Sequence, residues 1–448
     1  MSRRGLGNPK GGAPMSRVFA RGSGLPVVAR AEGCQLWDTE GRRYLDGAGG
    51  AIVVGIGHGD ASVAEAIADQ ATRVAYAHGT MFASEQLEAY ADELAPLLPV
   101  TDPRLYPVSG GSEAVETALK MARAYHLARG EDRSGVIGRH GSYHGNTRGA
   151  LDVGGREPLR RPYLPWLGLA GHTLAAYEYR CPFGDSHPVG CGARYAEALE
   201  REILASPAGT VAAFVAEPVA GAGLGAAVPP DDYWPAVVEV CRRHGVLLVA
   251  DEVMTGFGRT GRWFAADHWG LRPDILVLAK GAASGYWPLG LAVASGAVHD
   301  TIGAGGFTHG LTYSHHVVGA AAGRAVLRVL RERRLVEAAE TQGKRLRAGL
   351  EARLGSHPAT GDIRGLGLMV AVELVADRST REPFPRARRV AERAVAAARD
   401  RGLLLYSSTG CADGVEGDLV MLGPPLVVTD AEVDEMVELT ALAVESVV

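Results

Sequence analysis

Residues 245–264, GVLLVADEVMTGFGRTGRWF, and residues 273–290, PDILVLAKGAASGYWPLG, decide how this chain folds. In each, a run of aliphatic and β-branched residues of strand length ends in a polar group, Asp251 in the first and Lys280 in the second. Open α/β sheets place their ligands at the carboxyl ends of strands, so an aspartate and a lysine at two such ends would share one crevice. A buried Asp–Lys ion pair serving structure alone would leave the same pattern, and these two stretches keep both readings open.

Working outward, Val211–Ala216 is a third run of strand length and leads into Glu217, where an uncompensated carboxylate would be costly. The amphipathic stretches Tyr195–Leu204 and Asp231–His244 alternate with these runs, and 60 glycines are spread between them as turn punctuation. The alternation predicts an α/β fold with a mostly parallel central sheet. Upstream, Gln35–Leu45 with its turn Asp38-Thr39-Glu40-Gly41 predicts a hairpin and Ala61–Val74 an amphipathic helix. Downstream, Val317–Leu354 is strongly helical, and the strand Leu368–Leu374 with helices over Ala387–Arg401 and Asp430–Val447 predicts a smaller α+β unit. The expected division is a loose arm at 1–15, an N-terminal segment of a small domain at 16–70, a large domain at 71–320 and a C-terminal small domain at 321–448.

The chain has 448 residues, 47% of them hydrophobic and 22% charged, which suits a folded globular protein. Its 46 basic and 51 acidic side chains give a net charge of −5, so no basic excess favours nucleic acid. The apolar windows around 211–228 and 246–253 are interrupted by Glu217 and by Asp251-Glu252, and neither supplies the roughly 20 clean residues of a membrane span. Arg3 and Arg4 precede a stretch broken by glycine and proline, which is no secretory signal. Five scattered cysteines, Cys34, Cys181, Cys191, Cys241 and Cys411, suit a reducing cytoplasm and suggest no bridge. Cys181, His187 and Cys191 lack a fourth ligand and the paired spacing of zinc sites, so no metal is expected. Gly55, Gly57 and Gly59 do not make the dinucleotide fingerprint, which argues against a nicotinamide enzyme.

A lysine amine and a carboxylate at adjacent strand ends meet the needs of pyridoxal phosphate. The amine links to the cofactor's aldehyde, and the carboxylate keeps its ring nitrogen protonated. That cofactor also needs a phosphate cradle. PVSGGSEAVETALKMAR, residues 107–123, offers one where Gly110, Gly111 and Ser112 open an amphipathic helix beginning near Glu113. Alone, the tripeptide could equally be a turn with a capping serine.

From about Trp37 to the C-terminus the chain resembles the class III aminotransferases of the fold type I pyridoxal-phosphate enzymes. The motifs, in order, are YLDGAGG at Tyr44, SGGSEAVE at Ser109, SYHGNT at Ser142, AEPVAGAG at Ala216 and DEVMTGFGRTG at Asp251. They continue with LAKG around Lys280, HGLTYS around Thr312, IRGLGLM at Ile363 and GPPLVVT at Gly423. The resemblance implies that Gly110, Gly111 and Ser112 hold the phosphate, Tyr143 stacks on the ring and Val253 presses on its other face. It further implies that Glu217 lies on the cofactor's phenolic side near the substrate, and that Lys280, Asp251, Tyr143 and Glu217 form the catalytic set. Thr312 is expected to reach the phosphate of a neighbouring subunit, the stretch Tyr76–Phe82 to line the partner's channel, and Ile52, Phe82 and Trp287 to shape the substrate pocket.

The implied activity moves an amino group from an amine or ω-amino acid donor to a small keto acid such as pyruvate by a ping-pong mechanism, in a cytoplasmic homodimer or higher homo-oligomer. A decarboxylase or aminomutase of the same fold, or a non-catalytic pyridoxal-phosphate-binding protein, are the competing expectations. One stretch departs from the family. Many relatives carry an arginine shortly before the PPL motif that clamps a substrate carboxylate. Here YSSTGCADGVEGDLVMLGPPL, residues 406–426, has none, and Glu416 either favours a cationic donor or faces solvent.

Overall fold

A seven-stranded sheet forms the centre of the protein, in the spatial order Arg104–Val108, Gly290–Ala294, Ile275–Leu278, Leu247–Asp251, Val211–Ala216, Gly135–Arg139, Ala170–Thr173. Gly290–Ala294 runs antiparallel to both of its neighbours, and every other pair is parallel. The structure is a computed structural model that describes residues 17–19, 22, 24–184 and 191–448; the expected arm 1–15 and His187 lie outside them. Both faces of the sheet are covered, which is why its middle strands read as unbroken apolar runs. On one face Ala213, Val215 and Val249 pack with Ala114, Val115 and Ala118 of the helix Gly111–Ala128. On the other, Phe214 and Leu248 pack with Leu199 of the helix Gly192–Ala205 and with Trp234 and Val237 of the helix Tyr233–His244. Successive strand residues thus serve opposite faces.

The predicted α/β class with a mostly parallel sheet is the observed one. The expected hairpin is Gln35–Asp38 paired with Arg43–Asp46, extended by Val28–Glu32. Its far edge is closed by Leu403–Leu404, which pairs in parallel with Arg43–Asp46, so distant segments of the chain share this small sheet. A third, antiparallel sheet is ordered Thr360–Leu366, Met369–Asp377, Asp418–Leu422, Tyr406–Thr409. Two helical expectations need correction. The stretch from Val317 to Leu354 is two helices, Val317–Glu332 and Leu335–Leu354, broken where Arg334 takes a left-handed φ of +51°. The helix expected from Ala387 starts at Val390, after Arg389 adopts φ +51°, and a buried Asp418 oxygen receives the N–H of Ala391.

Arg259 fastens the sheets together. Its buried guanidinium donates to the backbone carbonyls of Val54, Leu368 and Pro424, one from the N-terminal part and two from the C-terminal part. Burial lowers its pKa to about 10 against the charges of Asp46 and Cys34, which raise it. Among the described residues no helix is long and apolar enough to cross a membrane, no disulfide forms, and no cluster of three or more metal-ligating side chains occurs.

Candidate active site

The middle strands of the central sheet end at one cavity of about 360 Å³, within the size range of small-molecule sites. Asp251 is the last residue of its strand, Glu217 follows Val211–Ala216 directly, and Lys280 lies two residues past Ile275–Leu278. The remaining wall is the start of the helix Gly111–Ala128, which has no side-chain cap on its first N–H groups. Ser109, Gly110, Gly111, Ser112 and Tyr143 therefore share the cavity with the three charged groups.

Asp251 is buried and held from two directions. Its Oδ1 accepts the backbone N–H of Val253 at 2.9 Å, and its Oδ2 accepts Nδ1–H of His144 at 2.7 Å. Burial opposes a charge on His144, but the bond to Asp251 with the charges of Glu217 and Asp251 outweighs it, and the imidazole pKa is raised. Its Nε2 is buried without a partner. This arrangement fixes the position of the carboxylate.

Lys280 carries a left-handed φ of +45°, a conformation that costs a non-glycine residue about 1–3 kcal/mol and is found where geometry is over-determined by function. Burial brings its amine down to a pKa of about 8, against Asp251 and Glu217, which raise it, and with Arg259, which lowers it further. About a tenth of the amine is thus neutral at pH 7, the form in which a lysine acts as nucleophile or base.

Glu217 is compensated by Arg139, whose Nη2 donates to Oε2 at 3.1 Å and to the Glu217 carbonyl at 2.6 Å, while the N–H of Tyr143 reaches Oε1 at 3.3 Å. Asn146 ties the aromatic wall to the helix start: its Nδ2 donates to the Tyr143 hydroxyl and its N–H to Ser112 Oγ, both at 3.1 Å. A Cβ on Gly111 would come within 3.1 Å of Val253, so glycine there lets the helix start and the Val253 side chain close on the same space.

These residues suit a flat, phosphate-bearing aldehyde. Uncapped helix N–H groups beside Gly110–Ser112 would receive a phosphate, Asp251 would hold a ring nitrogen proton, and Lys280 would offer its amine. The structure brings Gly110, Gly111, Ser112, Tyr143, Glu217, Asp251, Val253, Lys280 and Trp287 together as lining residues. Ile52 is not among them. The turn that bends the chain at Gly49 and Gly50, with Ile52 itself at φ +56°, sends Ile52 into the core against Val219 and Met369, and Val53 lines the cavity instead. Thr312 and Phe82 lie outside the cavity on the exposed surface, yet next to each other's segments: the Tyr76 hydroxyl donates to the Thr312 carbonyl at 2.8 Å. Glu416 is half-buried in the loop of residues 410–417 and does not line the cavity. His144, Asn146 and Arg139 are functional neighbours that sequence reasoning missed. A histidine directly after Tyr143 was the available signal for the first.

The family profile of aminotransferase class-III matches residues 18–444. The chain is 37% identical to the uncharacterized aminotransferase YodT of Bacillus subtilis, over 95% of this chain and 96% of the relative. It is 34% identical to the putrescine–pyruvate aminotransferase of Pseudomonas aeruginosa, over 93% and 90% respectively. Among solved structures, an (S)-enantioselective omega-transaminase from Thermomicrobium roseum superposes with a TM-score of 0.89 at 39% identity, covering 95% of this chain and 94% of that one. A PLP-bound amine transaminase from an uncultivated Pseudomonas species superposes with the same score at 36% identity over the full length of both chains. A strand-end lysine and aspartate facing an open helix start therefore have their counterpart in a known fold and chemistry, and the chain belongs to the class III aminotransferases, transaminases of fold type I that depend on pyridoxal phosphate.

Proposed function

We propose that the protein transfers an amino group from an amine or ω-amino acid donor to a small keto acid such as pyruvate, in two half-reactions that share one site. The observation that carries this reading is the buried Lys280 amine, with a pKa of about 8, in one cavity with an Asp251 carboxylate locked by His144. Bound there, pyridoxal phosphate supplies an aldehyde that captures amines and a protonated ring that accepts electrons. Gly110, Gly111 and Ser112 receive the phosphate, Tyr143 and Val253 flank the ring, and Asp251 keeps the ring nitrogen proton in place. Lys280 Nζ, neutral in part at working pH, takes the proton from the donor carbon beside the nitrogen and returns it. Glu217, neutralised by Arg139, shapes the polar side of the pocket without bringing a free negative charge to it.

The site is completed between subunits in this reading. Tyr76, Met81, Phe82 and Tyr313 are large exposed apolar side chains around the Tyr76–Thr312 contact, the kind of patch that marks an interface. Thr312 and Phe82 are then contributions to a partner's site. Residues 16–70 and 321–448 act as one small domain around 71–320, a division favoured by the parallel pairing of Leu403–Leu404 with Arg43–Asp46. The five thiols, none bridged, suit the cytoplasm.

The test is turnover of 1-phenylethylamine with pyruvate by protein loaded with cofactor, with product stoichiometry and initial-rate patterns recorded. Equal yields of acetophenone and alanine with parallel double-reciprocal lines are expected, and borohydride should fix the cofactor on the peptide containing Lys280. Carbon dioxide release, or product without alanine, would replace the reading with decarboxylation or intramolecular transfer. A cofactor adduct on another lysine would overturn the assignment of Lys280.

A further inference from the structure

Two thiols meet where the helix Gly192–Ala205 begins. The S–H of Cys181 donates to Cys191 Sγ across 3.4 Å, and the Tyr195 hydroxyl, inside the first turn of that helix, is within hydrogen-bonding reach of both sulfurs. Neither cysteine lines the catalytic cavity. Both are held by their neighbours. Asp232 accepts the N–H groups of Gly192 and Ala193 at 3.2 and 3.1 Å, which fixes the chain just after Cys191. Just before Cys181, Arg180 Nε donates to Glu373 at 2.7 Å and the Tyr177 hydroxyl donates to the same carboxylate. A disulfide measures about 2.05 Å, so closing this pair needs only about 1.4 Å of sulfur movement.

The two differ in access. Cys181 is half-buried, whereas Cys191 belongs to the buried apolar cluster of Tyr195, Leu199 and Trp234. Burial first, and then the neighbouring Cys181, push the Cys191 pKa up to about 12. An oxidant therefore meets Cys181 first, and turning that thiol into an uncharged sulfenic acid removes the charge that holds back Cys191. Cys34, Cys241 and Cys411 are buried, and burial raises the pKa of each.

We propose that Cys181 and Cys191 are a modification site for peroxides, a dithiol that closes reversibly into a disulfide. The Cys181 sulfur takes one oxygen from hydrogen peroxide, giving a sulfenic acid and a water. The Cys191 sulfur then attacks the Cys181 sulfur, the S–O bond breaks, and the Cys191 proton leaves with the hydroxide as a second water. Two thiols lose two electrons and one peroxide gains them. A dithiol reductant reverses the step by exchange. Transient bridges of this kind are the ones a reducing compartment allows, and the inference is independent of the transaminase reading.

The experiment treats reduced holoenzyme with hydrogen peroxide, unfolds it, alkylates the remaining thiols with iodoacetamide and digests it with trypsin. Cleavage after Arg180 and Arg194 leaves both cysteines on one peptide, CPFGDSHPVGCGAR. That peptide should become lighter by two hydrogens and lose both alkyl groups at least about tenfold faster than Cys34, Cys241 or Cys411 loses its own, because its sulfurs react as an intramolecular pair. Dithiothreitol should restore both alkyl groups. In Cys191→Ser the sulfenic acid has no partner, so dimedone should label Cys181 at least about tenfold more than in the unaltered protein. A peptide that keeps both alkyl groups while the other thiols oxidise would overturn the proposal, as would sulfinic acid formed without a bridge or a bridge that dithiothreitol does not open. Dimedone labelling of Cys181 that is equal with and without Cys191 would overturn it as well.

Discussion

Replacing Lys280 with methionine should stabilise the cofactor-free protein at neutral pH, although it destroys the reactive amine. Burial takes Lys280 from an ordinary pKa of 10.5 to about 8. An unfolded chain holds the Lys280 proton up to pH 10.5, whereas the folded chain gives it up near pH 8, so between these values the unfolded state binds more protons and stability rises with pH. At pH 7 both states are protonated and the folded one carries the full penalty of the buried ammonium. A drop from 10.5 to about 8 corresponds to about 3 kcal/mol as an upper bound.

Methionine has similar length and no charge, so Lys280→Met should remove that penalty. The assay is urea unfolding of both cofactor-free proteins at pH 7 and again near pH 10.5, taking the difference between them so that all other titrating groups cancel. At pH 7 the variant should unfold at a higher midpoint, by about 1 M if the slope is near 3 kcal/mol/M. The gap should close as pH rises from 8 to 10.5. A variant less stable than the parent at pH 7, or a gap that does not change with pH, would refute the reasoning.

Other perturbations read the same site from different sides. Asp251→Asn should keep the cofactor bound, judged by its absorbance, and lower kcat by at least about 100-fold, because a neutral amide cannot hold the ring nitrogen protonated; near-normal turnover would exclude the role given to Asp251. His144→Leu removes the 2.7 Å donor to Asp251, and the loss of a charge-assisted bond worth about 1.5–3 kcal/mol predicts a roughly 10- to 100-fold lower kcat, with a changed pH profile and partial rescue by His144→Asn. Thr312→Ala and Lys280→Ala subunits, each inactive, should regain activity after mixing and exchange, because a hybrid dimer contains one site with Lys280 from one chain and Thr312 from the other; no recovery, or a fully active monomer in sedimentation, would place Thr312 outside the partner's site.

The strand ends were legible because the physics that makes them is local. An apolar run buried on both faces must be continuous, and the single polar group at its end stands out, which is how Asp251 and Lys280 show themselves in the sequence. Their partners were not legible, because they come from far along the chain. His144 meets Asp251 across 107 positions, and Arg139 meets Glu217 across 78. Backbone conformation hid other features. Nothing in RERRL signals that Arg334 turns left-handed and splits a helix, and the positive φ that turns Ile52 inward gives its expected place to Val53.

The catalytic cavity gathers the features that cost the fold most: a lysine at φ +45° with its amine buried, a histidine nitrogen without an acceptor beside Asp251, and a buried Arg139 Nε in the same condition. None of these improves packing, and each would be absent from a sequence selected for stability alone. They persist because the surroundings over-determine them. The strands leading to Asp251 and Lys280 are buried on both faces by helices, and Arg259 secures the loop after Asp251 to three carbonyls from both ends of the chain. Rigidity is therefore concentrated beneath the reactive groups, in the buried strands and the Arg259 contacts that hold Asp251 and Lys280 in place.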